Sequence, residues 1–271
     1  MTSPWTALDL HPDVVAGVVV LAVAWVAVWR RSGRPVAARH AIAFSAALAV
    51  LLATLNGPLH ALADGYLFSA HMVQHLALTL LVPPLAIAGT PGWMVDAALS
   101  SSNNRPSPVL GPIARRLTRP IAALAAYTIV LVAWHLPAPY DAALEHHALH
   151  VVQHVTLVAG SVLAWWPVVS SSRLLPPLPY GAQLLYLFVF GMPMTIVAAM
   201  VTGAENVLYG FYAEAPRVSG LGPLEDQRLG GVIMWVPAGI IPVIAFTLVF
   251  FRWVRSEPDD EAAADTAPPA P

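Results

Sequence analysis

The chain has no cysteine and no lysine, and charged residues make up only 10% of its 271 positions. Without cysteine, neither a disulfide framework nor a thiolate metal site can form within it, so any metal chemistry must use histidine, methionine and carboxylates. With 58% apolar residues and so little charge, the balance of a soluble domain is missing, and the composition is that of a chain whose solvent is largely lipid. Also missing are a Walker motif, a Rossmann glycine pattern and a nucleophile elbow, so the expectation is a protein that is not an enzyme.

What fills the chain instead is a series of apolar windows. They lie at about 13–30, 40–56, 66–88, 120–136, 149–169, 181–202 and 229–252, each long enough for the hydrocarbon core. The fold class predicted is all-α, a polytopic transmembrane bundle of seven helices. Asp9 and Asp13 precede the first window, arginines follow it and no small-residue cleavage site comes after, so it reads as a retained helix rather than a signal peptide.

All 13 basic side chains are arginine, and eleven fall in alternate segments: Arg30, Arg31, Arg34 and Arg39; Arg105, Arg115, Arg116 and Arg119; Arg173; Arg252 and Arg255. The positive-inside rule makes these segments cytoplasmic, with the N-terminus outside and the C-terminus inside. The opposite segments hold only Arg217 and Arg228, among Asp64, Asp141, Glu145, Glu205, Glu214, Glu225 and Asp226. Residues 1–255 are expected to form one transmembrane domain, 256–271 a disordered acidic cytoplasmic tail, and 96–112 a flexible cytoplasmic loop.

His71-Met72-Val73-Gln74-His75 recurs as His150-Val151-Val152-Gln153-His154, each time at the start of an apolar window. With 10 histidines and 4 glutamines in 271 residues, a chance His-x-x-Gln-His is expected roughly 0.005 times, so two copies indicate a duplicated helical-hairpin unit. The i, i+4 spacing puts both imidazoles on one helix face, about 5–6 Å apart at Cβ, a separation that suits two ligands sharing one ion. Both windows run from outside to inside, so the pentads can converge at one depth, with Gln74 and Gln153 orienting the imidazoles. An isolated intramembrane histidine more often simply hydrogen-bonds a neighbouring helix, but two matched pairs argue against that reading. On the predicted topology every histidine except His40 is outside or in the outer half of a helix. His60 and His135 sit near the outer ends of the second and fourth windows, His146 and His147 are either an extension of the second pair or a solvated turn, and His11 and His40 read as interfacial.

Gly191-Met192-Pro193-Met194 interrupts the sixth window, with Met200 further outward and Met234 in the outer half of the seventh. Thioethers are soft ligands, although methionine more often fills gaps in a core. Pro83-Pro84, Pro237 and Pro242 should kink or unwind their helices. Asp226 and Gln227 either orient ligands or cap the last helix.

Ser69-Ala70-His71-Met72-Val73-Gln74-His75, followed by Val82-Pro83-Pro84-Leu85 and Gly89-Thr90-Pro91, resembles the signature of the CtaG family of bacterial cytochrome c oxidase assembly factors, the caa3 type. Trp134-His135-Leu136-Pro137 with Tyr140-Asp141, the second pentad, Gly191-Met192-Pro193 and Asp226-Gln227-x-Leu229-Gly230-Gly231-x-Ile233-Met234-Trp235 are similar to the rest of the pattern, and together they span about residues 10 to 255. The resemblance implies a seven-helix protein of the bacterial plasma membrane, needed to produce active haem–copper oxidase at the step that supplies or inserts copper. Its implied partners are oxidase subunit I or II and other copper chaperones. A periplasmic copper chaperone of the same name is cysteine-based, which this chain cannot be. For a Cu(I) site the resemblance and the residue placement together point to His71, His75, His150 and His154, with His60, His135, Met194, Met200 and Met234 as accessory groups and Gln74, Gln153, Asp226 and Gln227 behind them. Competing readings are a bis-His haem protein, a copper or proton transporter, and a purely structural chaperone.

Overall fold

Lipid offers the backbone no hydrogen-bond partners, so apolar segments of this length satisfy their amides internally as helices. The computed structural model describes residues 3–7, 10–100 and 106–256; the expected tail from 257 onward and residues 101–105 of the expected loop lie outside that range. The helices are α1 (Pro12–Ser32), α2 (Ala38–Thr54), α3 (Gly57–Gly65), α4 (Phe68–Leu76), a π-turn (Ala77–Leu81), α5 (Val82–Gly89), α6 (Gly92–Ala98), α7 (Leu110–Leu117), α8 (Pro120–His135), α9 (Pro137–Glu145), α10 (His147–Val169), α11 (Tyr180–Phe190), α12 (Met192–Gly203), α13 (Gly210–Glu214) and α14 (Pro223–Ser256). Among the described residues there is no strand, only an isolated bridge between Ser100 and Pro106.

The molecule is thus an all-α polytopic bundle. Among the described residues, five helical stretches are long and apolar enough to cross a membrane: Pro12–Ser32, Phe68–Gly89, His147–Val169, Tyr180–Gly203 and Pro223–Ser256. The count becomes seven when the bent pairs α2 with α3, at 48°, and α7 with α8, at 72°, are each taken as one span.

The prolines act differently in the two spans that carry them. Pro83 and Pro84 cannot donate to the carbonyls of Thr79 and Leu80 four residues back. Here the helix widens into the π-turn, and the Thr79 carbonyl accepts a hydrogen bond from Trp165 Nε1 at 3.1 Å instead. Pro237 and Pro242 lie inside α14 without interrupting it, so the unwinding expected there does not occur. Gly191 does interrupt the sixth span, between α11 and α12.

One main core joins α4, α8, α10, α11, α12 and α14 around Phe68, Met72, Trp165, Phe190 and Met234. Gly230 and Gly231 let α14 into it. A Cβ on Gly230 would lie 2.3 Å from the Phe68 ring, and one on Gly231 would lie 2.2 Å from Thr202 Oγ1 and 2.9 Å from the Thr202 amide nitrogen. This close approach fixes α14 against the first pentad helix. α1 lies at the edge, with Val18 as its buried residue.

Candidate metal centre

Each pentad begins a helix that follows a nine-residue helix, α3 before α4 and α9 before α10, and both nine-residue helices carry a proline at their start, which pre-sets the first turn. The start of α4 is fixed from the far end of the sequence. Asp226, on the first turn of α14, accepts hydrogen bonds from the Phe68 amide at 2.7 Å, the Ser69 amide at 3.3 Å and the Ser69 hydroxyl. A buried carboxylate at a helix N-terminus satisfies otherwise orphaned amides and meets the positive end of the helix dipole. Asp226 therefore caps α4 rather than α14, and its link to the histidines runs through the helix backbone. Gln227 has a similar role elsewhere: its Oε1 accepts from the Leu208 amide at 2.6 Å, which pins the segment before α13.

α13 is held by Asp141, whose carboxylate accepts from the amides of Gly210 at 2.9 Å and Phe211 at 3.3 Å. That places Tyr212 beside the first pentad. Burial, and then the charge of Asp64, push the Tyr212 hydroxyl well above its ordinary range, so it keeps its proton. It donates that proton to the Ala63 carbonyl at 2.5 Å, and its oxygen can then only accept from His71 Nδ1 at 2.8 Å. His71 Nδ1 is therefore protonated, and its Nε2 carries a lone pair turned into the cluster.

His150 Nδ1 faces Asp64 Oδ2 at 3.3 Å, so Nδ1 donates and Nε2 is left as an acceptor; it has no hydrogen-bond partner. His135 Nδ1 donates to the Leu131 carbonyl at 2.7 Å, and its Nε2 is likewise unpartnered. His75 Nε2 lies 2.8 Å from His71 Nε2 and donates to that lone pair, which leaves His75 Nδ1 unpartnered, and His154 Nε2 is unpartnered as well. One ring nitrogen from each of His71, His150 and His154 lies within 4.8 Å of the other two. Metal–imidazole bonds of about 2.0 Å would bring three such nitrogens to roughly 3.5 Å apart, a small contraction from this arrangement.

An unsatisfied buried polar atom costs about 1–3 kcal/mol, so the four orphaned nitrogens of His75, His135, His150 and His154 represent a considerable part of a total stability of roughly 5–15 kcal/mol. A site built this way is relieved by a species that accepts several lone pairs at once. The donor set is all-imidazole and buried, with one carboxylate, Asp64, behind it. Such a set fits a transition-metal cation of low charge.

His60 stands one layer behind these rings. Gln74 Nε2 donates to His60 Nδ1 at 2.8 Å and to the Thr54 carbonyl at 3.1 Å, so His60 Nε2 is the protonated nitrogen and faces Asp64 Oδ2 at 3.2 Å. Gln74 thus orients His60 and not a pentad imidazole, while both polar atoms of Gln153 are buried without a partner. The repeat is symmetric in sequence but not in its second layer. Met194 and Met234 are buried in the apolar core and Met200 is 69% exposed, so Met200 lies away from the buried imidazoles.

A file of rings leads outward from the cluster. His60 is 6.1 Å from His150 and 4.2 Å from His11, centroid to centroid, and His11 is stacked 6.5 Å from His147, whose Nε2 faces Asp13 Oδ2 at 3.8 Å. Both partners of that last pair are exposed. His11, read from sequence as merely interfacial, thus joins the surface to the buried site. His146 is an exposed residue bonded to its own turn at Ala142, and His40 donates to the Ala88 carbonyl at the arginine-rich end. Sequence reasoning missed Asp64 and Tyr212. Asp64 carried one signal, its i, i+4 spacing from His60; Tyr212, outside every apolar window, carried none.

A bundle of membrane-spanning helices that buries converging imidazoles near one end defines the class, a polytopic membrane protein with a histidine cluster. The chain belongs to the family described as cytochrome c oxidase caa3 assembly factor, whose pattern matches residues 19–256. It is 23% identical over 255 residues to uncharacterized proteins of Mycobacterium bovis and Mycobacterium tuberculosis, covering 88% of this chain and 38% of each relative. An uncharacterized protein of Mycobacterium leprae is 22% identical over 205 residues, 70% of this chain and 30% of that one. The chain therefore spans about a third of the length of these relatives. No solved structure matches it.

Proposed function

We propose that this protein serves assembly of a haem–copper cytochrome c oxidase in a bacterial plasma membrane by binding Cu(I) at His71, His75, His150 and His154 and presenting it on the outer side, where oxidase subunit I or II and other copper chaperones meet it. The observation that carries this reading is the convergence of His71, His150 and His154 nitrogens within 4.8 Å, with the His71 and His150 tautomers set by Tyr212 and Asp64. Copper is the cargo, not a catalytic centre: neutral imidazoles hold Cu(I) without thiolate, and the ring file through His60 and His11 gives it a route to the surface. A cation entering the cluster competes with the His75 proton for the His71 lone pair. A haem between these helices is disfavoured, because each helix offers two imidazoles 4.2 Å apart on one face, where bis-His ligation calls for one from each helix. A cation conduit is disfavoured by the arginines at the other end. The arginine distribution supports histidines on the outer side and a cytoplasmic C-terminus.

The test is metal analysis of detergent-purified protein. Wild type should carry copper, and the double variant His75→Ala, His154→Ala should lose most of it while keeping its helical content. A deletion strain should make haem-containing, copper-poor oxidase that excess external copper partly restores, since mass action replaces a donor. Unchanged copper in the double variant, or a deletion strain with fully metallated oxidase, refutes the reading.

A further inference from the structure

At the end of the bundle opposite the histidine cluster, the turn between α1 and α2, the start of α6 and the segment after α10 line an open cavity of about 940 Å3. Arg31, Arg34, Arg39 and Arg173 line it, and among the described residues none of their guanidinium groups is engaged in an ion pair or a hydrogen bond. The Arg34 guanidinium instead lies over the Trp93 ring, 5.5 Å from its centre. Asp96, the acid in the lining, pairs with none of them and offsets one charge of the four: its carboxylate accepts from the Ser172 hydroxyl at 2.5 Å and from the Arg173 and Leu174 amides, each at 3.2 Å. The excess of positive charge left around the cavity repels itself, and an anion among the arginines lowers that cost.

Val28 also lines a second cavity, of about 510 Å3, whose walls are apolar and include Leu21, Trp25, Phe44, Val162 and Trp166. It lies along α1 between Leu21 and Val28, against α2, α6, α7 and α10. A cationic cavity that shares its Val28 wall with an apolar groove matches a ligand with an anionic head and a hydrocarbon tail. A small free anion would use only the first half. We propose that the two cavities together hold one anionic glycerophospholipid, its phosphate among the four arginines and an acyl chain in the groove. The lipid ties α1, the helix with the least buried surface, to α2, α6 and α10. This goes beyond the copper reading and does not depend on it.

Native mass spectrometry of the full chain in detergent, titrated with phosphatidylglycerol or phosphatidylcholine, tests this. One phosphatidylglycerol should stay bound where phosphatidylcholine is lost. Near an anionic lipid each arginine is worth about fivefold in affinity, so Arg34→Gln with Arg173→Gln should weaken retention roughly 25-fold. Arg115→Gln with Arg116→Gln, exposed on α7 and outside the cavity, should leave it unchanged. Val28→Trp keeps every arginine but fills the mouth of the groove, and it should also release the lipid, which keeps the test sound if the arginine variant folds poorly. Equal retention of the two lipids, retention unaffected by Arg34→Gln with Arg173→Gln or by Val28→Trp, or displacement by millimolar inorganic phosphate would each overturn the proposal, the last by showing a site for a free anion.

Discussion

Asp64→Asn isolates the part of the site that no pattern in the pentads shows. In the wild type, Asp64 Oδ2 accepts from His60 Nε2 at 3.2 Å and His150 Nδ1 at 3.3 Å, so a single carboxylate oxygen sets two tautomers. Asparagine keeps the shape but removes the charge and turns one of the two oxygens into a donor. The remaining carbonyl can still orient His150, but it no longer raises the basicity of that ring as a carboxylate does. Loss of such a partner to a metal-binding histidine costs 10- to 100-fold in affinity, about 1.4–2.8 kcal/mol. Competition of the purified protein with a chromophoric Cu(I) chelator reads this directly. The dissociation constant should rise by that factor with the number of ions unchanged, whereas His150→Ala should remove the site. An unchanged constant for Asp64→Asn would mean that the carboxylate does not act through the imidazole, and the tautomer argument would fail.

His11→Ala should slow Cu(I) uptake while leaving the equilibrium stoichiometry intact; stopped-flow loading with the same chelator as donor separates the two, and an unchanged rate would remove the ring file as the route. Because the chain has no cysteine, introduced cysteines report topology cleanly: Ala142→Cys should react with an impermeant reagent in intact cells and Leu110→Cys should not. Gly231→Ala puts a methyl group 2.9 Å from the Thr202 amide nitrogen, where backbone cannot yield, and should destabilise the protein by about 1–3 kcal/mol in thermal unfolding. Gly203→Ala, whose Cβ would meet nothing within 4 Å, is the matched control and should be neutral or slightly stabilising.

Much of this protein is legible without coordinates because two strong physical rules act on sequence alone. A lipid solvent forces apolar windows into helices, so the all-α bundle and the span positions follow from hydropathy. Helical periodicity puts His71 and His75, and His150 and His154, on shared faces, so the pentads announced a centre before any packing was known. Arginine placement gives an expected orientation by the same kind of rule. What sequence could not decide depended on groups far apart in the chain coming to one point. Asp226 caps a helix 158 residues earlier, at Phe68. Tyr212 orients His71 across 141 positions, and Asp64 joins His60 to His150. The two halves of the repeat read alike, yet Gln74 is bonded to His60 while Gln153 is bonded to nothing. Their identity fixes only which face of the helix they occupy. The neighbour on that face is chosen by packing, and packing here turns on contacts such as Gly230 against Phe68 and Gly231 against Thr202. Sequence therefore determined the helices and the chemistry offered along each of them; tertiary structure alone decided which offers meet, because side-chain partnership falls off within a few ångströms and the chain folds those ångströms from positions more than a hundred residues apart.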